Sequence, residues 1–145
     1  NVTLRWMNAY HAEFTDSEFV NCSVRSSDFK NGMFASPYIS SCFIMKSQFS
    51  GRYFFREIVE YTSFEQCDFT KASFTGAWTS CKFHICSFDN SEFLNVDVSG
   101  SSFVRCLTLT QSQLDHCWAW ADQPPKLPEG LVLKDMRDPK DRKDD

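Results

Sequence analysis

The stretch Cys67-Asp68-Phe69-Thr70-Lys71-Ala72-Ser73-Phe74-Thr75-Gly76 says the same five-residue phrase twice: small, polar, Phe, polar, polar. That period decides the fold, and it runs outward in both directions. Phe14, Phe19, Phe29, Phe34, Phe49, Phe54, Phe64, Phe69 and Phe74 share one register, with Val24, Ile39, Ile44 and Val59 in its gaps. After the loss of one residue, a second register carries Trp78, Phe83, Phe88, Phe93, Val98 and Phe103. Two places before each centre stands a mostly small residue, such as Ala12, Ser17, Cys22, Ser27, Gly32, Ser47, Thr62 or Ala72.

Neither regular element can bury such centres together. On an α-helix a step of five turns about 140°, so the phenylalanines would spiral around the rod. On a flat strand the step is odd, so successive centres would point to opposite faces. The period works if the backbone turns one corner per repeat and sends every bulky centre to a common axis. The small residue two places earlier then also points inward. Each short strand pairs with the turns above and below, about 4.8 Å away, and each turn buries its apolar side only against its neighbours.

The phrases Ala12-Glu13-Phe14-Thr15-Asp16, Ser27-Asp28-Phe29-Lys30-Asn31 and those quoted above resemble the repeat of pentapeptide-repeat proteins, and the resemblance covers roughly residues 2–121. It implies an all-β fold, a right-handed quadrilateral parallel β-helix of about five to six coils with twenty residues in each. The cysteines are consistent with that number. Cys22, Cys42, Cys67, Cys81, Cys86, Cys106 and Cys117 all hold the small inward position; Cys22 and Cys42, like Cys86 and Cys106, stand twenty apart. With the lost residue allowed for, Cys81 joins the Cys22–Cys42 corner and Cys67 joins Cys86 and Cys106.

A chain of 145 residues reads as one domain. The expected division is a β-helix over 1–121 and a C-terminal cap and tail over 122–145. An odd count of core-position cysteines points to reduced thiols and a cytoplasmic setting. No run of apolar residues is long enough to span a membrane. Past Ala119 three prolines, Pro124, Pro125 and Pro128, interrupt the ladder. An open solenoid end needs a lid, and Trp118, Trp120, Leu127, Leu131 and Leu133 are its candidates. The stretch from Lys134 to Asp145 mixes acids and bases and is expected to be mobile.

Three departures from the repeat stand out. Arg52 and Glu57 fall at inward positions, where a charge is costly unless paired; either they pair across a corner or residues 50–61 bulge from the coil, and the bulge is favoured. The register regains a residue between Phe103 and Leu109, which suggests Leu107 with Leu109, Ser112 with Leu114 and Cys117 with Ala119 as inward pairs. Finally, Met33, Tyr38, Phe43, Tyr53, Phe55 and Ile58 would face outward in mid-rod. They form a candidate protein-binding patch or, equally, the underside of residues 50–61 or of the tail.

Reaction chemistry is not legible. His11, His84 and His116 keep no constant relation to a serine, cysteine or carboxylate, and no metal-ligand or phosphate-loop spacing occurs; no enzyme activity, cofactor or metal is expected. Up to Ala121 twelve acids meet nine bases, which disfavours direct nucleic-acid binding. The resulting expectation is a non-catalytic interaction scaffold presenting rigid faces to a protein partner or a second copy of the chain. The resemblance adds an alternative, a DNA-mimicking binder of DNA gyrase of the quinolone-resistance type. It also leaves open a structural module of a larger bacterial effector or phage assembly.

Overall fold

In the computed structural model, which describes residues 2–142, the chain winds into six coils whose strands stack in parallel. The first coil carries β1 (Val2–Arg5), β2 (Glu13–Thr15) and β3 (Glu18–Val20). The second holds β4 (Cys22–Arg25), β5 (Met33–Ala35) and β6 (Tyr38–Ser40). The third holds β7 (Phe43–Met45), β8 (Tyr53–Phe55) and β9 (Ile58–Glu60). The fourth contributes β10 (Ser63–Glu65), β11 (Ser73–Phe74) and β12 (Ala77–Thr79). The fifth contributes β13 (Lys82–His84), β14 (Glu92–Phe93) and β15 (Val96–Asp97). The sixth has β16 (Ser102–Val104), helix α1 (Gln111–Leu114) and β17 (Cys117–Trp120).

Four faces result. The first stacks β1-β4-β7-β10-β13-β16, and the third stacks β2-β5-β8-β11-β14. The fourth stacks β3-β6-β9-β12-β15-β17 and ends on β18 (Asp135–Arg137). The second is a row of single bridges, Asn8–Asp28–Gln48–Asp68–Ser87. Stacked residues are twenty apart in the early coils (Val24 on Ile44), nineteen where a residue is lost (Phe64 on Phe83) and twenty-one where it is regained (Val96 on Cys117).

The corners explain how so few glycines suffice. Trp6, His11, Asp16, Asn21, Ser26 and the later corner residues adopt positive φ, between 48° and 58° wherever the corner is not glycine. That region costs an L-residue roughly 1–2 kcal/mol, so it must be held by other bonds. It is: Ser26 N–H donates to Met45 O at 3.0 Å and Lys46 N–H to Glu65 O at 2.9 Å, each binding one corner to the next coil. The inward small residue helps. Ser27, Ser47 and Thr62 hydroxyls donate to the carbonyls two residues earlier, and Ser47 Oγ accepts from Ser27 N–H. Serine, threonine and cysteine recur there because they are small and can donate to that carbonyl.

Inside, the rings stack in columns. Phe14–Phe34–Phe54–Phe74–Phe93 runs along the third face with centroids 4.7–5.5 Å apart. Phe29–Phe49–Phe69–Phe88 lines the second, and Phe64–Phe83–Phe103 the first. Phe19 lies against Phe14 and Phe34 near the open first coil. Phe69 and Phe88 are wholly buried. Cys22, Cys42, Thr62, Cys81 and Ser101 occupy one corner, linked by bonds such as Cys42 N–H to Thr62 Oγ1 at 3.3 Å. Cys67, Cys86 and Cys106 occupy another, and all seven cysteines are free thiols.

Several expectations fail. Residues 50–61 do not bulge: β8 and β9 keep register with β5 and β6, and Arg52 and Glu57 stay inside. Leu107 is 90% exposed and Ser112 faces solvent, whereas Cys106, Leu109, Gln113 and Leu114 are buried. The regained residue is absorbed by α1. Its Thr110–Gln113 capping box fixes the first turn, and Gln113 Nε2 donates to Phe88 O and Ser91 O. The tail also carries regular structure. Lys126 bridges Ser102, β18 extends the fourth face, and Pro139–Asp141 form a 3₁₀ turn, so a seventh, irregular turn closes the rod. Leu127, Leu131 and Leu133 pack on the core, but Trp118 and Trp120 lie on the outer side, under Arg137 at 3.7 Å and Arg142 at 4.9 Å. Residues 143–145 of the expected mobile tail lie outside the described residues.

Candidate protein-interaction surface

The third coil inverts the usual order on its third and fourth faces, placing charge inside and apolar side chains outside. Tyr53 (42% exposed) and Phe55 (39%) project from β8, and Ile58 (51%) from β9 around the shared edge. Met33 stacks on Tyr53, and Tyr38 on Ile58, one coil earlier; both are half-buried. The Tyr53 and Phe55 rings lie 6.1 Å apart and nearly parallel, and the Arg56 guanidinium sits 5.2 Å over Phe55. Phe43 does not join them. It lies on the first face, beyond Ser40 and Glu60, 5.5 Å beneath Arg25.

Nothing among the described residues covers this edge. The tail closes over the sixth coil, where β18 pairs with β17 and Lys134 with Asp115. Tyr61, 66% exposed at the next corner, enlarges the apolar surface of the third coil. The pentad does not mark it, because corner positions carry any residue type. Its signal was the run of Tyr53, Phe55, Ile58 and Tyr61 within one coil.

Arg52 and Glu57 lie beneath the edge and do not pair. The Arg52 guanidinium reaches back through the earlier coils, where Nη1 donates to Ala12 O and Phe29 O and Nη2 to Met33 O, all at 3.0 Å. It also lies 4.0 Å over the Phe34 ring, a cation–π contact. Burial lowers its pKa to about 10, so it stays charged at neutral pH. Glu57 has no hydrogen-bond partner on either carboxyl oxygen among the described residues. Burial pushes its pKa up to about 8, which makes it a neutral acid at pH 7.

Side chains suited to reaction chemistry stay apart. His11 Nδ1 lies 3.0 Å from Asn31 O on the surface, far along the rod from His84 and His116. Among the described residues no group of three or more His, Cys, Asp or Glu could hold a metal ion. The Cys81 and Cys117 thiols are pushed up to about 12 by burial, so they are poor nucleophiles. No helix among the described residues is long and apolar enough to cross a membrane.

No family model matches the chain, and no curated protein does. Solved structures do. Trypsin-treated QnrB1, a plasmid-mediated fluoroquinolone resistance protein, matches over 94% of this chain and 90% of its own at 14% identity, TM-score 0.47. Rfr23, a pentapeptide repeat protein from the cyanobacterium Cyanothece 51142, matches over 91% of each chain at 8% identity, TM-score 0.35. The five-residue period and the parallel stacked coils are consistent with a pentapeptide-repeat protein. HetL, a pentapeptide-repeat protein of the cyanobacterium Nostoc involved in heterocyst differentiation regulation, matches over 91% of this chain and 87% of its own at 14% identity, TM-score 0.27.

Proposed function

We propose that this pentapeptide-repeat solenoid is a non-catalytic scaffold that binds a protein partner through the edge between its third and fourth faces. Tyr53, Phe55 and Ile58 form the centre, with Met33, Tyr38 and Tyr61 around it. The observation that carries the reading is the inversion of the third coil. An exposed apolar residue gains the monomer little beyond contacts with its neighbours, yet three stand together on strands laddered on both sides. Aromatic anchors on a preformed surface lose little entropy when a partner covers them. Phe43 belongs to another face and is not part of this edge. The free thiols support a reducing compartment such as the cytoplasm.

The test is a Tyr53→Asp, Ile58→Asp double variant. Both side chains are exposed, so the urea midpoint should hold, while a partner captured by the wild type, or a self-association peak in sedimentation, should vanish. Unchanged capture and unchanged self-association would remove the edge from the proposal.

A second reading draws on the distribution of acids. Glu13, Asp16, Glu18, Glu60, Glu92 and Asp115 gather on the third and fourth faces and their shared edge. This supports DNA mimicry toward DNA gyrase more than the net charge of the coils does. Gyrase supercoiling measured with and without micromolar protein decides it: neither inhibition nor protection from a quinolone would end that reading.

A further inference from the structure

The thin net charge of the coils conceals a segregated one. Arg5, Arg25, Lys46, Lys82 and Arg105 all lie on the first face or its trailing corner, five of the eight bases in the coils that are not buried. Among the described residues a single acid, Glu65, shares that face. None of the five bases takes part in an ion pair among the described residues. Arg5 and Arg25 are also direct register partners on β1 and β4. Like charges directly opposite one another on a sheet are destabilising, so this pair works against the fold it decorates.

The middle of the same face is apolar and hollow. Phe43 and Met45 stand in the third coil; the small Ser63 and Ser102 flank Lys82, and a groove opens between Phe43 and Val104. The chemistry along the rod is therefore basic at Arg5 and Arg25, apolar at Phe43 and Met45, and then a groove that Glu65, Lys82 and His84 share with Phe43 and Val104. Arg25 and Lys82 are three coils apart, about 14 Å at the inter-strand spacing of about 4.8 Å. An extended peptide covers that distance in about four residues.

We propose that the first face docks an acidic extended polypeptide segment of a protein partner, its carboxylates on Arg25 and Lys82 and one apolar side chain between them in the groove beside Phe43. Glu65 selects a polypeptide over a nucleic acid. A phosphate backbone carries a negative charge at every step and would set one against Glu65, whereas a peptide can present a neutral residue there. This surface is separate from the edge centred on Tyr53 and Ile58, so the two can be tested independently.

Fluorescence anisotropy of a labelled Asp-Glu-Ser-Leu-Ser-Glu-Asp peptide, against the folded chain at low ionic strength, is the direct measurement. Binding should weaken as salt rises, because the contacts are charged and exposed. The Arg25→Glu, Lys82→Glu variant should lose at least about tenfold in affinity, and Phe43→Ser or a Leu-to-Ser peptide about threefold or more. The Tyr53→Asp, Ile58→Asp variant should bind as the wild type does. The Arg25→Glu, Lys82→Glu variant should keep the wild-type urea midpoint, since Arg5 then faces an opposite charge and Lys82 is exposed, so a loss of binding cannot be put down to misfolding. No measurable binding, or equal binding by the charge-reversed variant, overturns the proposal. Tighter binding of an oligothymidylate of the same formal charge also overturns it and assigns the face to nucleic acid.

Discussion

The Arg52 guanidinium fills the volume that a side chain at Gly32 would need. A Cβ built on Gly32 would collide with Arg52 Nη1 and with the Ala12 carbonyl, which Arg52 itself binds. Glycine is required here for space, one coil below an arginine that ties the first three coils together. Gly32→Ala should therefore destabilise by about 2–4 kcal/mol, as overpacking against fixed backbone does. Arg52→Ala should cost a similar amount by leaving buried carbonyls without a donor. Because the two share one volume, the double variant should cost less than the sum. Strictly additive urea-denaturation free energies would refute the coupling.

Glu57 predicts a pH dependence. Its carboxyl is raised in the folded chain to about 8, against an ordinary value of 4.5. The folded state thus holds a proton that the unfolded state releases. The contribution to stability is fully present below about pH 4.5 and is lost as the pH rises through about 8, where it levels off. The amplitude is on the order of 5 kcal/mol if the whole shift is expressed. Glu57→Gln should flatten this fall. Urea midpoints at mildly acid, neutral and alkaline pH check it, and parallel curves for the two proteins would show that Glu57 does not titrate as argued.

Ile85 is a β-branched residue at φ 55° on an exposed corner. Asparagine tolerates that conformation far better. Ile85→Asn should raise stability by about 1 kcal/mol, seen as a higher urea midpoint; a drop would mean the isoleucine makes contacts that outweigh its strain.

Phe69 is the most embedded of the stacked rings, lying 5.1 Å from Phe49 and 5.4 Å from Phe88 with nothing of it exposed. Phe69→Ala should cost about 3–5 kcal/mol. Leu94→Ala, at a half-exposed outward position of the same rod, should change stability by less than about 0.5 kcal/mol. Comparable thermal shifts for the two would contradict an interior defined by the pentad centres.

The candidate edge was partly legible. Met33 with Tyr53, and Tyr38 with Ile58, follow from a twenty-residue coil, and the structure pairs both. Phe43 was misplaced because an outward residue is visible in the repeat, but the face it decorates depends on where the corners fall. Arg52 and Glu57 misled for another reason. Five residues apart and opposite in charge, they invited either pairing or expulsion from the coil. Instead Arg52 took its hydrogen bonds from carbonyls of earlier coils, and Glu57 is kept neutral by burial.

The order of residues along the chain alone determined the interior, because a period of five can bury its large side chains in no straight element. It also implied that ordinary residues turn the corners, since glycine is too scarce for that role. Only the folded molecule decided which outward residues meet. Neighbours within the six coils stand nineteen, twenty or twenty-one apart, and each slip at Gly76 or before α1 re-pairs everything beyond it. The basic face, the apolar edge and the returning tail are products of that stacking, which depends on backbone ladders closing over the whole coil rather than on any local pattern.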